Sequence, residues 1–321
     1  MSQTISNGKG IVEHAKRLFG ESSSAHRWTG SSGGKFLSAS LLSTVLCGMS
    51  VAGDYKVITP PIARHAEEIP FTLYQGYLVV VDGRIGRLEH QHLLIDTGTN
   101  PSMIDRNVAA KLGLRGIRGD VATFSDTVPA DQVKLSDLEV GPLRRRDLNV
   151  MVADFGKVES GVGVHVDAII GLDVLSTASF TIDFGKRRIL FEPSRERHSV
   201  PFSVAQQFLQ VNLKVRGKQL HLLVDTGTPH LILFNRALHD LDYSRISKSA
   251  VGSNLAGGGF YETVVLPEAK LGPESVGPQR VTVVANEKQV EGEYDGLMGV
   301  SLLRPKRLSF DFERQVLGWS N

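Results

Sequence analysis

Two aspartates, each followed by threonine and glycine, are the residues of this sequence best suited to chemistry. Asp96 follows the apolar run 93–95, and Asp225 follows the apolar run 222–224. Each run carries a carboxylate to the margin of a core, where an isolated charge is costly. Two carboxylates held close together cannot both ionise, so they share one proton. One then acts as a base on water while the other donates a proton to a carbonyl, which is hydrolysis without a covalent intermediate.

The three residues after each aspartate have types that support such a pair: they are Thr97, Gly98 and Thr99, and Thr226, Gly227 and Thr228. The glycine lets the backbone pack closely and leaves its N–H free to donate to the carboxylate. The first threonine offers a hydroxyl that can hydrogen-bond across to the opposite half of the molecule. The second threonine can donate to the outer carboxylate oxygen, which favours the ionised form and moves the active window toward acid pH.

The two motifs belong to an internal duplication of the chain. The repeated blocks are 69–71 with 200–202, 92–99 with 221–228, 169–172 with 297–300, and 180–184 with 308–312. They recur in the same order at offsets between 128 and 131 residues. Matched blocks at near-constant spacing indicate two homologous lobes, each of which contributes one aspartate.

Each lobe is predicted to be mainly β. Segments 77–81 and 209–215 are rich in Val, Leu and aromatic residues, and turn signals follow at Asp82-Gly83 and at Arg216-Gly217. The apolar runs that lead into the aspartates are continuous, so both faces of these strands are expected to be buried. Short helices are predicted at 105–113, 172–177 and 235–241.

The pattern of two hydrophobic residues followed by Asp-Thr-Gly-Thr, with a later hydrophobic-hydrophobic-Gly strand, resembles the retropepsin and pepsin superfamily of aspartic peptidases. Residues 169–175 are especially similar to the retropepsin-like branch, and the resemblance spans roughly residues 69–320. It implies an all-β, bilobal aspartic-protease fold with two pseudo-symmetric retropepsin-like β-barrel lobes and short helices. It also implies that Asp96 and Asp225 are catalytic and that no cofactor is needed.

Members of this family carry a flap hairpin in each lobe, downstream of the aspartate. The matching windows here are 118–125 and 252–261. Glycine suits a lid that must bend over a peptide. The resemblance therefore implies substrate or flap roles for Gly119, Phe124, Gly257, Gly258 and Gly259. An ordinary hairpin loop is the alternative for each window.

The N-terminal region has a different character from the two lobes. Residues 1–34 are polar and rich in Gly and Ser, which predicts a disordered leader. Residues 36–53 form an uncharged stretch behind Lys35, which predicts a signal peptide over 35–53; a single membrane anchor or a buried core segment are the alternatives. An exported protein, periplasmic or extracellular, is therefore expected. The lobes are predicted at 54–192 and 201–321, joined by a linker at 193–200.

Composition excludes several other functions. The chain has 321 residues and a net charge of +2, so no global field favours nucleic acid. Its single cysteine, Cys47, excludes an intramolecular disulfide. His90 and His92 alternate on a strand, but no neighbouring carboxylate or cysteine completes a metal site, so we interpret them as a surface pair. We predict no metal and no cofactor, and we interpret the basic run 144–146 as a solvated loop.

Two further aspartates, Asp183 and Asp311, occupy equivalent positions in the two lobes. We interpret both as structural groups that close turns or form ion pairs. Arg187 or Arg188 is the predicted partner of the first, and Arg314 is the predicted partner of the second.

Two functions are consistent with the sequence. The first is an aspartic endopeptidase that acts on a protein or peptide substrate, as a monomer with intramolecular pairing of its lobes. The second is a catalytically inactive peptide-binding or scaffolding protein with the same fold. Both motifs are intact, which favours the enzyme, because a degenerate member would be expected to lose an aspartate or a glycine. A homodimer that pairs equivalent lobes is unnecessary when one chain supplies two aspartates.

Overall fold

The computed structural model of the chain describes residues 67–123, 127–239, 241–254, 257–284 and 294–321. The predicted leader at 1–34, the predicted signal peptide or anchor at 35–53, and Phe124 lie outside these ranges and stay predictions. Within the described ranges, no helix is both long enough and apolar enough to cross a membrane.

The first lobe is built mainly from strands. They are β1 (Glu68–Tyr74), β2 (Leu78–Ile85), β3 (Leu88–Ile95), β4 (Met103–Asp105), β5 (Ile117–Ala122), β6 (Thr127–Val140), β7 (Leu143–Ala153), β8 (Ala168–Ile170), β9 (Phe180–Asp183) and β10 (Arg188–Leu190). Its short helices are α1 (Arg106–Leu112), α2 (Gly156–Val162) and α3 (Leu172–Leu175).

The second lobe repeats this plan. Its strands are β11 (His198–Pro201), β12 (Ser203–Ala205), β13 (Phe208–Val215), β14 (Lys218–Asp225), β15 (Leu231–Phe234), β16 (Ser244–Asn254), β17 (Gly257–Leu271), β18 (Glu274–Val284), β19 (Gly296–Gly299), β20 (Arg307–Asp311) and β21 (Val316–Ser320). Two short 3-10 helices span Asn235–Leu238 and Val300–Leu302. The predicted mainly β, bilobal fold is confirmed.

The strand that ends at each aspartate lies at the centre of its lobe. In the first lobe β3 pairs in parallel with β8, and β4, the strand after the aspartate, pairs with the other edge of β8. In the second lobe β14 and β15 flank β19 in the same way. The apolar run 93–95 is at most 1% exposed, as expected for a strand with a neighbour on each side and a core on each face. This arrangement fixes the position of the residue that follows the run.

A sheet with strand order β11-β21-β20-β9-β10-β1 joins the two lobes. The repeated blocks 180–184 and 308–312 meet here, because β9 pairs with β20. Phe180 stacks on Phe310 with ring centroids 4.8 Å apart, and the hydroxyl of Thr181 donates to that of Ser309 at 3.0 Å. The duplicated segments therefore form one of the contacts between the lobes.

One predicted turn is wrong. The Asp82-Gly83 pair lies inside β2, and the chain turns instead at Gly86 and Arg87. A Cβ at Gly83 would lie 2.2 Å from Leu93 Cδ1 and 2.6 Å from the Glu139 carbonyl oxygen. Glycine is needed at this position because β2 pairs with both β3 and β6 there, and the neighbouring chains leave no room for a side chain. The corresponding turn at 216–217 forms as predicted.

The predicted helices form with shorter bounds. The first, α1, begins after Asp105, whose carboxylate accepts a hydrogen bond from the Asn107 N–H at 2.7 Å, and ends at Gly113 with φ of 71°. The segment at 235–241 forms a 3-10 helix over Asn235–Leu238. The predicted linker at 193–200 runs into β11, which pairs with β21.

Both strand-end aspartates close turns, as predicted, because each accepts from the backbone N–H three residues later, but only one of the two predicted ion pairs forms. Arg314 donates to Asp311 as predicted, with Nη1 3.1 Å from the carboxylate. Asp183 accepts from the Lys186 N–H at 2.8 Å, but its ion-pair partner is Arg307 of the other lobe, with Nε 3.8 Å away, rather than Arg187 or Arg188. The Arg188 side chain forms an ion pair with Glu68. The basic run 144–146 lies on β7 rather than in a loop.

Candidate active site

Asp96 and Asp225 lie side by side at the junction of the two lobes. Both are buried, with 0% and 1% exposure, and their carboxyl groups are close enough to influence each other's ionisation. The glycine of each motif faces the opposite aspartate. A Cβ at Gly98 would lie 2.4–2.8 Å from the Asp225 carboxylate, and a Cβ at Gly227 would lie 2.7–2.9 Å from the Asp96 carboxylate. Glycine is therefore required for the two carboxylates to approach.

The first threonine of each motif joins the two lobes directly beneath this pair. The Thr97 hydroxyl donates to the Val224 carbonyl at 2.8 Å, and the Thr226 hydroxyl donates to the Ile95 carbonyl at 3.0 Å. Each hydroxyl also accepts from the backbone N–H of the other threonine, at 3.0 and 3.1 Å. These four buried bonds hold the ends of β3 and β14 in register.

The two aspartates have different local donors. Asp96 accepts from the Gly98 N–H on Oδ1 and from the Thr99 hydroxyl on Oδ2, both at 2.8 Å. Asp225 accepts from the Gly227 N–H on Oδ1 at 2.8 Å. Its Oδ2 is buried and accepts from no donor in the described part of the chain. A proton on this oxygen, shared with Asp96, satisfies both carboxyl groups.

The electrostatics of the pair agree with this distribution of donors. Burial raises the pKa of Asp225 well above its usual value, and the neighbouring charge of Asp96 raises it further. The N–H groups of Gly227 and Thr228 oppose this shift only in part. Burial and the charge of Asp96 therefore favour the protonated form of Asp225, while the two donors to Asp96 favour its ionised form. The Thr228 hydroxyl, expected to donate as Thr99 does, is buried and has no hydrogen-bond partner among the described residues.

A glycine-ended strand supports each motif from behind. A Cβ at Gly171 would lie 2.3 Å from the Thr99 carbonyl oxygen, and one at Gly299 would lie 2.4 Å from the His230 carbonyl oxygen. The close approach lets the Leu172 N–H donate to the Thr99 carbonyl at 2.9 Å. This contact explains why a hydrophobic-hydrophobic-Gly block follows each Asp-Thr-Gly-Thr motif.

Residues that sequence reasoning missed brace these strands differently in the two lobes. Asp173 accepts from the Ser102 N–H at 3.0 Å and from its hydroxyl at 2.6 Å. Ser301 stands at the equivalent position in the second lobe, with its hydroxyl 3.1 Å from His230 Nδ1. Burial raises the pKa of Asp173. The spacing of 128 residues between Asp173 and Ser301 in the repeat identifies the pair, but it does not reveal their partners.

The predicted flap glycines lie on hairpins. Gly119 is on β5, opposite Ala130 of β6. The segment 257–259 begins β17 and pairs with residues 252–254 of β16. These glycines pair with their own hairpin partners, so their roles toward substrate stay predictions, as does that of Phe124. Helix α2 of the first lobe contacts both β16 and β17 of the second.

The two histidines interpreted as a surface pair face different carboxylates. His90 Nδ1 lies 3.1 Å from Asp82 Oδ2, while His92 Nδ1 lies 3.6 Å from Asp167 Oδ2. The sequence interpretation missed the second carboxylate because Asp167 follows His92 by 75 residues and reaches it only through the pairing of β3 with β8. Among the described residues, His92, His165 and Asp167 bring one potential metal-ligating atom each within 4.8 Å of one another.

A known protein family matches the sequence of both lobes. The profile of the family described as aspartyl protease matches residues 80–174 and 211–302, together more than half of the chain. Each matched region contains one Asp-Thr-Gly-Thr motif and the glycine-ended strand that supports it. No curated protein matches the chain. With the family pattern present once in each lobe, the chain belongs to the retropepsin-like aspartyl protease family.

Proposed function

We propose that this protein is an aspartic endopeptidase in which each lobe supplies one catalytic carboxylate, Asp96 as the base and Asp225 as the acid. The observation that carries the proposal is the buried carboxyl pair with unequal donors. Two hydrogen bonds support the ionised form of Asp96, and burial favours the protonated form of Asp225. Membership of the family supports the same general chemistry.

The reaction follows from this distribution of protons. The Asp96 carboxylate removes a proton from a water molecule, whose oxygen forms a bond to the carbonyl carbon of the peptide. The proton of Asp225 moves to the carbonyl oxygen, which gives a neutral tetrahedral diol. The proton on Asp96 then passes to the amide nitrogen, the C–N bond breaks, and a diol hydroxyl returns its proton to Asp225. The carboxyl pair ends with the single proton with which it began.

The experiment that tests the proposal replaces each aspartate by asparagine in the full chain. Hydrolysis of a peptide library should fall on the order of 10³-fold or more in Asp96→Asn, in Asp225→Asn and in the double variant alike, because the pair acts as one unit. Asp82→Asn is a suitable control, since its side chain is 64% exposed on the same lobe. Wild-type cleavage in either single variant would overturn the assignment. Peptide binding without hydrolysis by the unaltered chain would favour a scaffolding role instead.

A further inference from the structure

A second cluster of reactive side chains lies at the other end of β3 from the dyad. His92 precedes Asp96 by four residues, which is about 13 Å along a strand. His165 and Asp167 lie just before β8, which pairs with β3. His165 Nε2 lies 3.2 Å from Asp167 Oδ1, and His92 Nδ1 lies 3.6 Å from Asp167 Oδ2. The cluster is therefore compact and separate from the carboxyl pair.

We propose that His92, His165 and Asp167 form a binding site for a divalent transition-metal ion of the zinc class. Zn²⁺ takes imidazole and carboxylate ligands at about 2.0–2.1 Å, so neighbouring ligand atoms of a tetrahedral site lie about 3.3 Å apart. His165 Nε2 and His92 Nδ1 lie 3.2 and 3.6 Å from the two oxygens of the Asp167 carboxylate, and the three ligand atoms lie within 4.8 Å of one another, so small side-chain rotations bring them to this separation. Two imidazoles and one carboxylate favour Zn²⁺, Ni²⁺ or Cu²⁺ over Mg²⁺ or Ca²⁺, which prefer oxygen ligands alone.

The carboxylate of this site is held rigidly by the fold. Asp167 is 5% exposed, and its Oδ2 accepts from the His92 N–H at 2.8 Å. Its backbone N–H donates to the His92 carbonyl at 2.9 Å, and its carbonyl accepts from the Asp105 N–H at 2.9 Å. A ligand that does not need to be ordered on binding loses little conformational entropy.

A fourth residue orients the second histidine. Glu159 on α2 has Oε1 2.6 Å from His165 Nδ1, and the same oxygen accepts from the Val166 N–H at 3.0 Å. With Nδ1 engaged by this carboxylate, Nε2 is turned toward Asp167. An outer carboxylate in this position fixes the ring and makes the ligating nitrogen more basic, as is usual for metal-bound histidine.

The site is open to solvent on its histidine side. The side chains of His92 and His165 are 56% and 57% exposed, and their rings meet edge to face with centroids 6.0 Å apart. An ion can enter from this side, and water can complete the fourth position, as in sites with three protein ligands.

The second lobe shows which part of the cluster the fold itself requires. Asp295 accepts from the His221 N–H at 2.8 Å, as Asp167 does from that of His92. The buried carboxylate is therefore a structural brace in both lobes. This structural role of the carboxylate does not require His165, nor does it require that Glu159 orient the His165 ring. The position equivalent to His165 holds Glu293, which lies outside the described residues.

The test is calorimetric titration of the metal-free full chain with Zn²⁺, repeated with Co²⁺ so that its visible spectrum reports ligation. One equivalent should bind, and the melting temperature should rise with the Zn²⁺ concentration. His92→Gln and His165→Gln should each weaken binding at least 100-fold, and Glu159→Gln should weaken it about 10–100-fold. His90→Gln, two residues along the strand, and His221→Gln, on the second-lobe brace, are controls that should bind as the unaltered chain does.

Each outcome decides the proposal. No binding at millimolar Zn²⁺, or binding unchanged by both His92→Gln and His165→Gln, would mean that the cluster is a hydrogen-bonded surface group only. Melting of each variant without metal separates lost ligation from lost folding. Binding is read by heat and absorbance, so the result is independent of any protease activity.

Discussion

The two aspartates of the dyad are followed by the same three residues, yet their surroundings are unequal. The Thr99 hydroxyl donates to Asp96, whereas the Thr228 hydroxyl has no partner among the described residues beside Asp225. A shared proton needs one good acceptor for the charge and one site that favours the neutral acid, and this difference supplies both. Sequence symmetry predicts two equivalent threonines, so only the geometry separates their roles.

The inequality leads to a prediction for the pH dependence of hydrolysis. We expect an optimum on the acid side of neutral for the unaltered enzyme. Thr99→Ala removes a donor to the ionised carboxylate, so the acid limb of kcat/KM should move toward neutral pH by about 1 unit. Thr228→Ala is the matched control and should leave that limb in place. Equal shifts in both variants, measured from pH 3 to pH 8, would show that the two hydroxyls act alike.

At the scale of elements, the sequence predicted what apolar runs and repeats determine. The strands that end at the aspartates, the helix after Asp105 and the turn at 216–217 follow from local pattern. Local pattern predicts a turn at Gly83 because the neighbours that leave no room for a side chain, Leu93 on β3 and Glu139 on β6, are not adjacent to it in sequence. The roles of Ser102 and Asp167 could not be predicted for the same reason, because their hydrogen-bond partners lie 71 and 75 residues away in the sequence. Contacts between strands far apart in the chain leave no local signal.

The hydrogen bonds between Ser102, just before β4, and Asp173, on α3, give a prediction about stability. Asp173→Ala removes the acceptor of both the N–H and the hydroxyl of Ser102, and these groups are buried. The free energy of unfolding should fall by about 2–4 kcal/mol, because unsatisfied buried polar groups are costly. Ser301→Ala, at the equivalent position of the second lobe, loses one contact to His230 and should cost less than about 1 kcal/mol. Urea unfolding of both variants measures the difference, and equal losses would contradict this role for the hydrogen bonds between Ser102 and Asp173.

At the scale of the whole molecule, pairing of the lobes brings a second carboxyl group into a buried site. The inter-lobe sheet and the crossed threonine bonds are formed only when the two lobes meet. The free-energy cost of burying the carboxyl pair therefore arises only when the two lobes are assembled. Global unfolding should report it.

This cost should appear as a dependence of stability on pH. The pKa of Asp225 is raised in the folded protein, so the folded state holds this proton more firmly than the unfolded state, where an aspartate has a pKa of about 3.9. The stabilisation from this bound proton is fully present below the unfolded-state pKa. It is lost as the pH rises toward the pKa of Asp225 in the folded protein, with a slope of up to about 1.4 kcal/mol per pH unit. Asp225→Asn mimics the neutral acid and should lack this loss. Relative to the unaltered chain, its free energy of unfolding in urea should therefore rise between pH 4.5 and pH 7.5. Asp82→Asn, on an exposed side chain, should track the unaltered chain throughout. A constant difference between Asp225→Asn and the unaltered chain over that range would show that the buried carboxyl does not carry the proton.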